Sequence, residues 1–150
     1  MRKLITILIF TTLSCFANYV QAPKLYTRAE MKKLSSIEFK QIINEAKGIL
    51  PRKVDYPPAK PGEVISINYH WQDAGASLHE IAQIMRVNSK YTTKGLKFFK
   101  KCAKNESVMT EFAAICFTHY SVFHKIKKLG RINKKDFPQD VVSLSAIALE

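Results

Sequence analysis

Cys102 and Cys116 stand on two stretches that each read as an amphipathic helix, and a bond between them dictates how those helices meet. Take an uninterrupted antiparallel pair of helices that turns near Asn105. Cys102 then lies about 3 residues before the turn and Cys116 about 10 after it; at ~1.5 Å per residue the axial mismatch is about 10 Å, beyond the roughly 7 Å Cα limit of a disulfide. The connection therefore has to be long: either the first helix ends before Cys102, or the second starts nearer Thr110. A bond here closes a loop of about 15 residues and contributes roughly 3 kcal/mol in the chain-entropy picture. The alternative is a pair of separate buried thiols.

Pairing requires an oxidising compartment, and the start of the chain predicts one. Met1-Arg2-Lys3, the apolar run from Leu4 to Phe10 and the small residues up to Ala17 have the form of a secretory leader, with a basic flank, an apolar centre of about 11 residues and a small residue before the cut. Cleavage after Ala17 is preferred to cleavage after Ala22, because Pro23 would obstruct the second site. Residues 1–17 are then a signal peptide and 18–150 one domain, exported to the periplasm or secreted. The leader carries away Cys15 and leaves an even number of cysteines. The formal charge of +12 includes Arg2 and Lys3, so the processed chain would keep about +10, a surface that attracts polyanions. For an exported chain, anionic lipid head groups or envelope glycans are met before nucleic acid. The leader is too short to span a bilayer, which takes about 20 apolar residues.

Helix starts are predicted at Thr27-x-x-Glu30, Ser35-x-x-Glu38 and Ser77-x-x-Glu80, each a capping box in which a hydroxyl and a carboxylate satisfy end amides. After Ser35 the residues Phe39, Ile42, Ile43, Ala46 and Leu50 share one helical face, and Pro51 stops the helix. From Ser77 a helix is predicted to about Lys104, with a weak point near Thr92-Thr93-Lys94-Gly95. A second runs from Ser107 to Leu129 on the stripe Val108, Phe112, Ile115, His119, Val122, Ile126, Leu129, with Gly130 as its cap. A short last helix follows Asp136-Phe137-Pro138 and carries Val141, Leu144 and Ala148. Residues 51–71, rich in proline, read as an extended linker or arm; Val64 to Tyr69 has strand character without a strong partner. The expected fold is all-α: a small bundle of four or five helices on a disulfide-pinned helical hairpin.

Charge supplies the main functional signal. No acidic residue lies between Glu80 and Glu106, while Arg86, Lys90, Lys94, Lys97, Lys100, Lys101 and Lys104 all do. Lys90, Lys94, Lys97, Lys101 and Lys104 step 4, 3, 4, 3, which on a continuous helix stacks them in a ladder about 21 Å long. Like charges at this spacing repel, and no carboxylate on the same helix offsets them. The ladder is the expected anion-binding site; the plainer reading is a solvated face. Tyr91 and Phe98 lie on other faces, so stacking of single-stranded nucleic acid is not supported.

Other chemistry is sparse. His119 lies in the apolar stripe, where a core role is expected; His124 stands among lysines; His70, Trp71 and Asp73 could line a small cleft. No metal-ligand spacing, hydrolase elbow, phosphate loop or nucleotide fingerprint is present, and no cofactor is expected. Cys116-Phe117-Thr118-His119 resembles the Cys-x-x-His segment in the catalytic helix of secreted phospholipases A2. That resemblance implies a general base at His119 and a disulfide from Cys116 to an upstream loop. Here Tyr120 stands where the family's helix carries aspartate, and Lys101-Cys102-Ala103 replaces its glycine-containing calcium loop. The expectation is thus a non-enzymatic binding or accessory protein that meets an anionic lipid surface or polymer through its lysines. The rival classes are a lipid or cell-wall hydrolase using His119, and a protein-interaction module, such as an inhibitor or effector, using residues 51–71.

Overall fold

Capping decides where the first two helices begin. In a computed structural model that describes residues 25–55, 60–62 and 69–147, α1 (Arg28–Lys33) and α2 (Ser36–Ile49) both open on complete capping boxes, with Thr27 paired to Glu30 and Ser35 to Glu38. The expected leader and residues 64–68 of the strand-like stretch lie outside the described residues. Phe39, Ile42, Ile43, Ala46 and Leu50 are all buried, so α2 docks on the face its periodicity predicts.

Ser77 does not start a helix. It is buried within α3 (Tyr69–Val87), and Glu80 accepts a hydrogen bond from the Tyr26 amide at 3.1 Å instead of capping. The apolar phase of Ala74, Leu78, Ile81, Ala82 and Met85 extends upstream of Ser77, and packing along it outweighs the local cap motif. The last residues of the expected arm, Tyr69 to Trp71, are consequently helical.

The long helix expected from Ser77 to Lys104 is two helices. Asn88 ends α3, Ser89–Tyr91 form a 3₁₀ turn, and α4 runs from Thr92–Ala103. The break lies just before the predicted weak point and is held by tertiary contacts. Asn88 donates to the carbonyls of Met31 and Lys32, and the Tyr91 hydroxyl donates to that of Leu34. The Tyr91 ring stacks on Phe39 at 4.3 Å. Gly95 then lets α4 pass close to Met85 on α3.

Together with α5 (Thr110–Ile126) and α6 (Gln139–Ile147), this makes six α-helices among the described residues, more than the four or five expected, and no strand. The Cys102–Cys116 disulfide links α4 to α5 with Cα atoms 5.9 Å apart. Of the two solutions to its geometry, the late start of α5 at Thr110 is the one adopted. Pro51 to Lys53 lie along the connection: Lys53 N donates to Ser107 O, Met109 N to Pro51 O, and Arg52 bridges Val108.

α5 packs against α3, α4 and α6, and its buried stripe is rotated from the expected one. Phe112, Ala113, Cys116, Phe117, Tyr120 and Phe123 form its centre, His119 and Val122 are half-buried at the flank, and Ile126 and Leu129 are more than half exposed. Its end also differs. Leu129 N donates to His124 O and Lys128 N to Lys125 O, a Schellman closure whose left-handed residue is Lys128 (φ 53°), two places before Gly130 (φ 89°). Among the described residues no helix is long and apolar enough to cross a membrane.

Candidate anion-binding face

Because α4 buries Leu96, Phe98, Phe99, Cys102 and Ala103, its opposite side is left to lysine. At ~100° per residue, Lys94, Lys97, Lys100, Lys101 and Lys104 fall within an arc of about 120° facing away from the core. All five are exposed. None of Lys94, Lys97, Lys100 and Lys101 pairs with a carboxylate among the described residues, whereas Lys53 meets Asp140 at 3.8 Å.

The ladder is shorter than expected at its start and wider in its middle. Lys90 belongs to the 3₁₀ turn, not to α4; its amine donates to Leu34 O at 3.0 Å and lies 4.7 Å from the Tyr91 ring, so it helps hold the corner between α1 and α2. Lys104, the C-cap, places its amine 5.2 Å from the Phe137 ring. Lys94, Lys97 and Lys101 keep the predicted register, and Lys100 joins them.

Two cations were not legible in the α4 spacing. Lys47, in the last turn of α2, and Arg52 join Lys101 around a cavity of about 280 Å³ whose apolar wall is Leu50, Phe98, Cys102 and Val108. Among the described residues no acidic side chain lines it. Arg52 is brought there by the hydrogen bonds between residues 51–53 and 107–109. The disulfide forms part of the wall.

His119 has a different environment. Its ring lies 5.1 Å from that of Phe99 and 6.3 Å from that of His79, which itself meets the Gln83 amide at 3.1 Å. Burial lowers its pKa from 6.5 to about 4, with His79 and Arg86 pushing the same way. A general base works best with a pKa near the operating pH, and the charged groups acting on this ring are cationic rather than carboxylate. Cys116, in the segment that resembles phospholipase A2, is bonded to a cysteine inside α4. His124 is half-buried against Tyr120 at 5.3 Å rather than fully solvated. Trp71 meets Phe112 edge-on at 6.1 Å, with Asp73 half-buried nearby in sequence; the side chain of His70 lies outside the described residues. Among the described residues no three His, Cys, Asp or Glu side chains come together as a metal site. No known protein family matches the chain, and neither a curated protein nor a solved structure matches it.

Proposed function

We propose that this is an exported accessory protein that binds an anionic surface or polymer, with lipid head groups or an envelope glycan as the natural sources, through the outer face of α4. The observation that carries the reading is the row Lys94, Lys97, Lys100 and Lys101, exposed on one helix face without carboxylate partners among the described residues. Such a row repels itself at some cost to the helix, and an anion laid along it removes that cost. Lys47 and Arg52 extend the positive field around Lys101.

The test is binding of the purified protein to vesicles containing anionic lipid and, separately, to a sulfated polymer. Affinity should fall steeply as ionic strength passes physiological, where the screening length drops below about 8 Å. The triple variant Lys94→Glu, Lys97→Glu, Lys101→Glu should lose about 1 kcal/mol per residue on the vesicles, with an unchanged circular dichroism spectrum. Equal binding by the triple variant and the parent makes these lysines a solvated face.

A further inference from the structure

A second cavity, about 720 Å³, lies between α5, α6 and the segment joining them, and none of its lining residues belongs to α4. Its floor is apolar: Phe117 from α5, Ile132 from the connection, Val142 and Ala146 from α6. Ser121, His124 and Ser145 also line it, and the Ser145 hydroxyl donates to Val142 O at 2.8 Å. Lys125, Lys128 and Lys134 stand around this floor, all exposed, and among the described residues no carboxylate lines the cavity. The volume is within the range of about 300–1,000 Å³ typical of sites for small ligands.

Lys128 makes the case stronger. It holds the left-handed position that closes α5, with φ 53°, where glycine is the unstrained choice. A lysine at this position destabilises the fold relative to glycine, and Lys128 lines the groove. Local strain of this kind is characteristic of functional positions.

We infer that the α5–α6 groove binds a single-chain anionic amphiphile, its hydrocarbon chain on the Phe117–Val142 floor and its head group between Lys125, Lys128 and Lys134. Charge and shape together favour this ligand. The apolar floor takes an alkyl chain, the three ammonium groups donate to a carboxylate or phosphate, and a cationic head group meets no carboxylate among the described lining residues. The site is separate from the α4 lysines and stands or falls without them.

The experiment is calorimetric titration of the purified protein with laurate, dodecyl phosphate and dodecyltrimethylammonium, each below its self-association concentration, and with the shorter octanoate and decanoate. Saturable one-to-one binding of the anions is expected, with affinity rising about fourfold per methylene until the floor is covered. Tighter binding of laurate assigns a fatty acid, and tighter binding of dodecyl phosphate a lysophospholipid-type head group; either outcome upholds the site. Lys128→Gly should raise the melting temperature by about 3 °C while weakening the preferred anion about fivefold. Ala146→Trp, at an exposed helix position that lines the groove, should fill the floor and abolish binding with the fold intact. The α4 triple variant should bind the amphiphile as the parent does. Absence of saturable binding, equal binding of the cationic homologue, or unchanged affinity in both Lys128→Gly and Ala146→Trp overturns the assignment.

Discussion

Acid should weaken this fold through His119, and the effect can be isolated with one substitution. Burial, then the nearby His79 and Arg86, lower the pKa of the folded ring from 6.5 to about 4. Between those values the unfolded chain binds a proton that the folded chain refuses, so stability falls as pH drops through 6.5 and levels off below about 4. A shift of this size corresponds to about 3 kcal/mol at the acid limit and about 2 kcal/mol at pH 5; partial exposure of the ring reduces the latter to about 1.5 kcal/mol. Glu80, whose carboxyl is raised chiefly by burial, works in the opposite direction, so the parent's own pH profile mixes the two. His119→Gln removes one contribution and leaves the rest. That variant should itself be less stable by about 1–3 kcal/mol at pH 7.5, where a buried ring is replaced by an amide. Urea unfolding followed by circular dichroism at pH 7.5, 6 and 5 gives the comparison. Between the extremes the parent should lose about 1.5 kcal/mol more than the variant, close to 1 M in midpoint for an m-value near 1.5 kcal/mol/M. Parallel profiles for the two proteins would falsify this account of the His119 environment.

Reducing the Cys102–Cys116 bond should lower stability by about 3 kcal/mol, read as a fall in melting temperature on adding reductant, and intact mass of the oxidised protein should show no alkylatable thiol in the processed chain. Two glycines should respond with opposite signs in the same unfolding assay. A Cβ at Gly95 would lie 2.1 Å from Sδ of the buried Met85, so Gly95→Ala should cost about 2 kcal/mol after allowing for the better helix propensity of alanine. Gly48, in the last turns of α2 with nothing within 4 Å of the added methyl, should gain about 0.5–1 kcal/mol as Gly48→Ala.

How far the fold could be read from the sequence varied with how many neighbours each helix has. α2 touches the core on one face, so its apolar residues form one stripe between Ser35 and Pro51, and both boundaries and buried face are legible. α5 packs against three helices and is apolar around most of its circumference; several phases fit equally well, and the one through Ile126 and Leu129 is displaced by the one through Cys116, Tyr120 and Phe123. Ser77-x-x-Glu80 satisfies the capping pattern but not the burial pattern, since the serine faces inward. Once the disulfide is assumed, distances that any helix pair must obey leave two solutions, a first helix ending before Cys102 or a second starting near Thr110, and the fold adopts the second. For the α4 face, Lys94, Lys97 and Lys101 are found by spacing alone. Lys47 and Arg52 are not, because their position depends on hydrogen bonds between residues 51–53 and 107–109, a contact with no local signature.

Those hydrogen bonds belong to a wider regularity. Tyr26 reaches Glu80 across 54 positions, Asn88 reaches Met31 and Lys32 across 57 and 56, and Lys90 and Tyr91 reach Leu34 across 56 and 57. Arg52 and Val108 keep the same offset. At these points, around α1, the corner before α2 and the residues just after it, the first part of the chain meets the second at nearly constant sequence offset, while α2 itself packs on α3 at shorter separations. Every one of these contacts closes a loop of nearly the same length, so none has an entropic advantage over the others. Formation of these contacts, which join residues 26–34 and 52 to 80–108, is therefore expected to behave as one event, in which they are gained or lost as a set. A change in the length of the connection between residues 55 and 69 alters all those loops by the same amount and shifts their closure entropies together, by only a few tenths of a kcal/mol for a few residues. The register is thus kept by the two docked surfaces, and the length of chain between them is left free to vary.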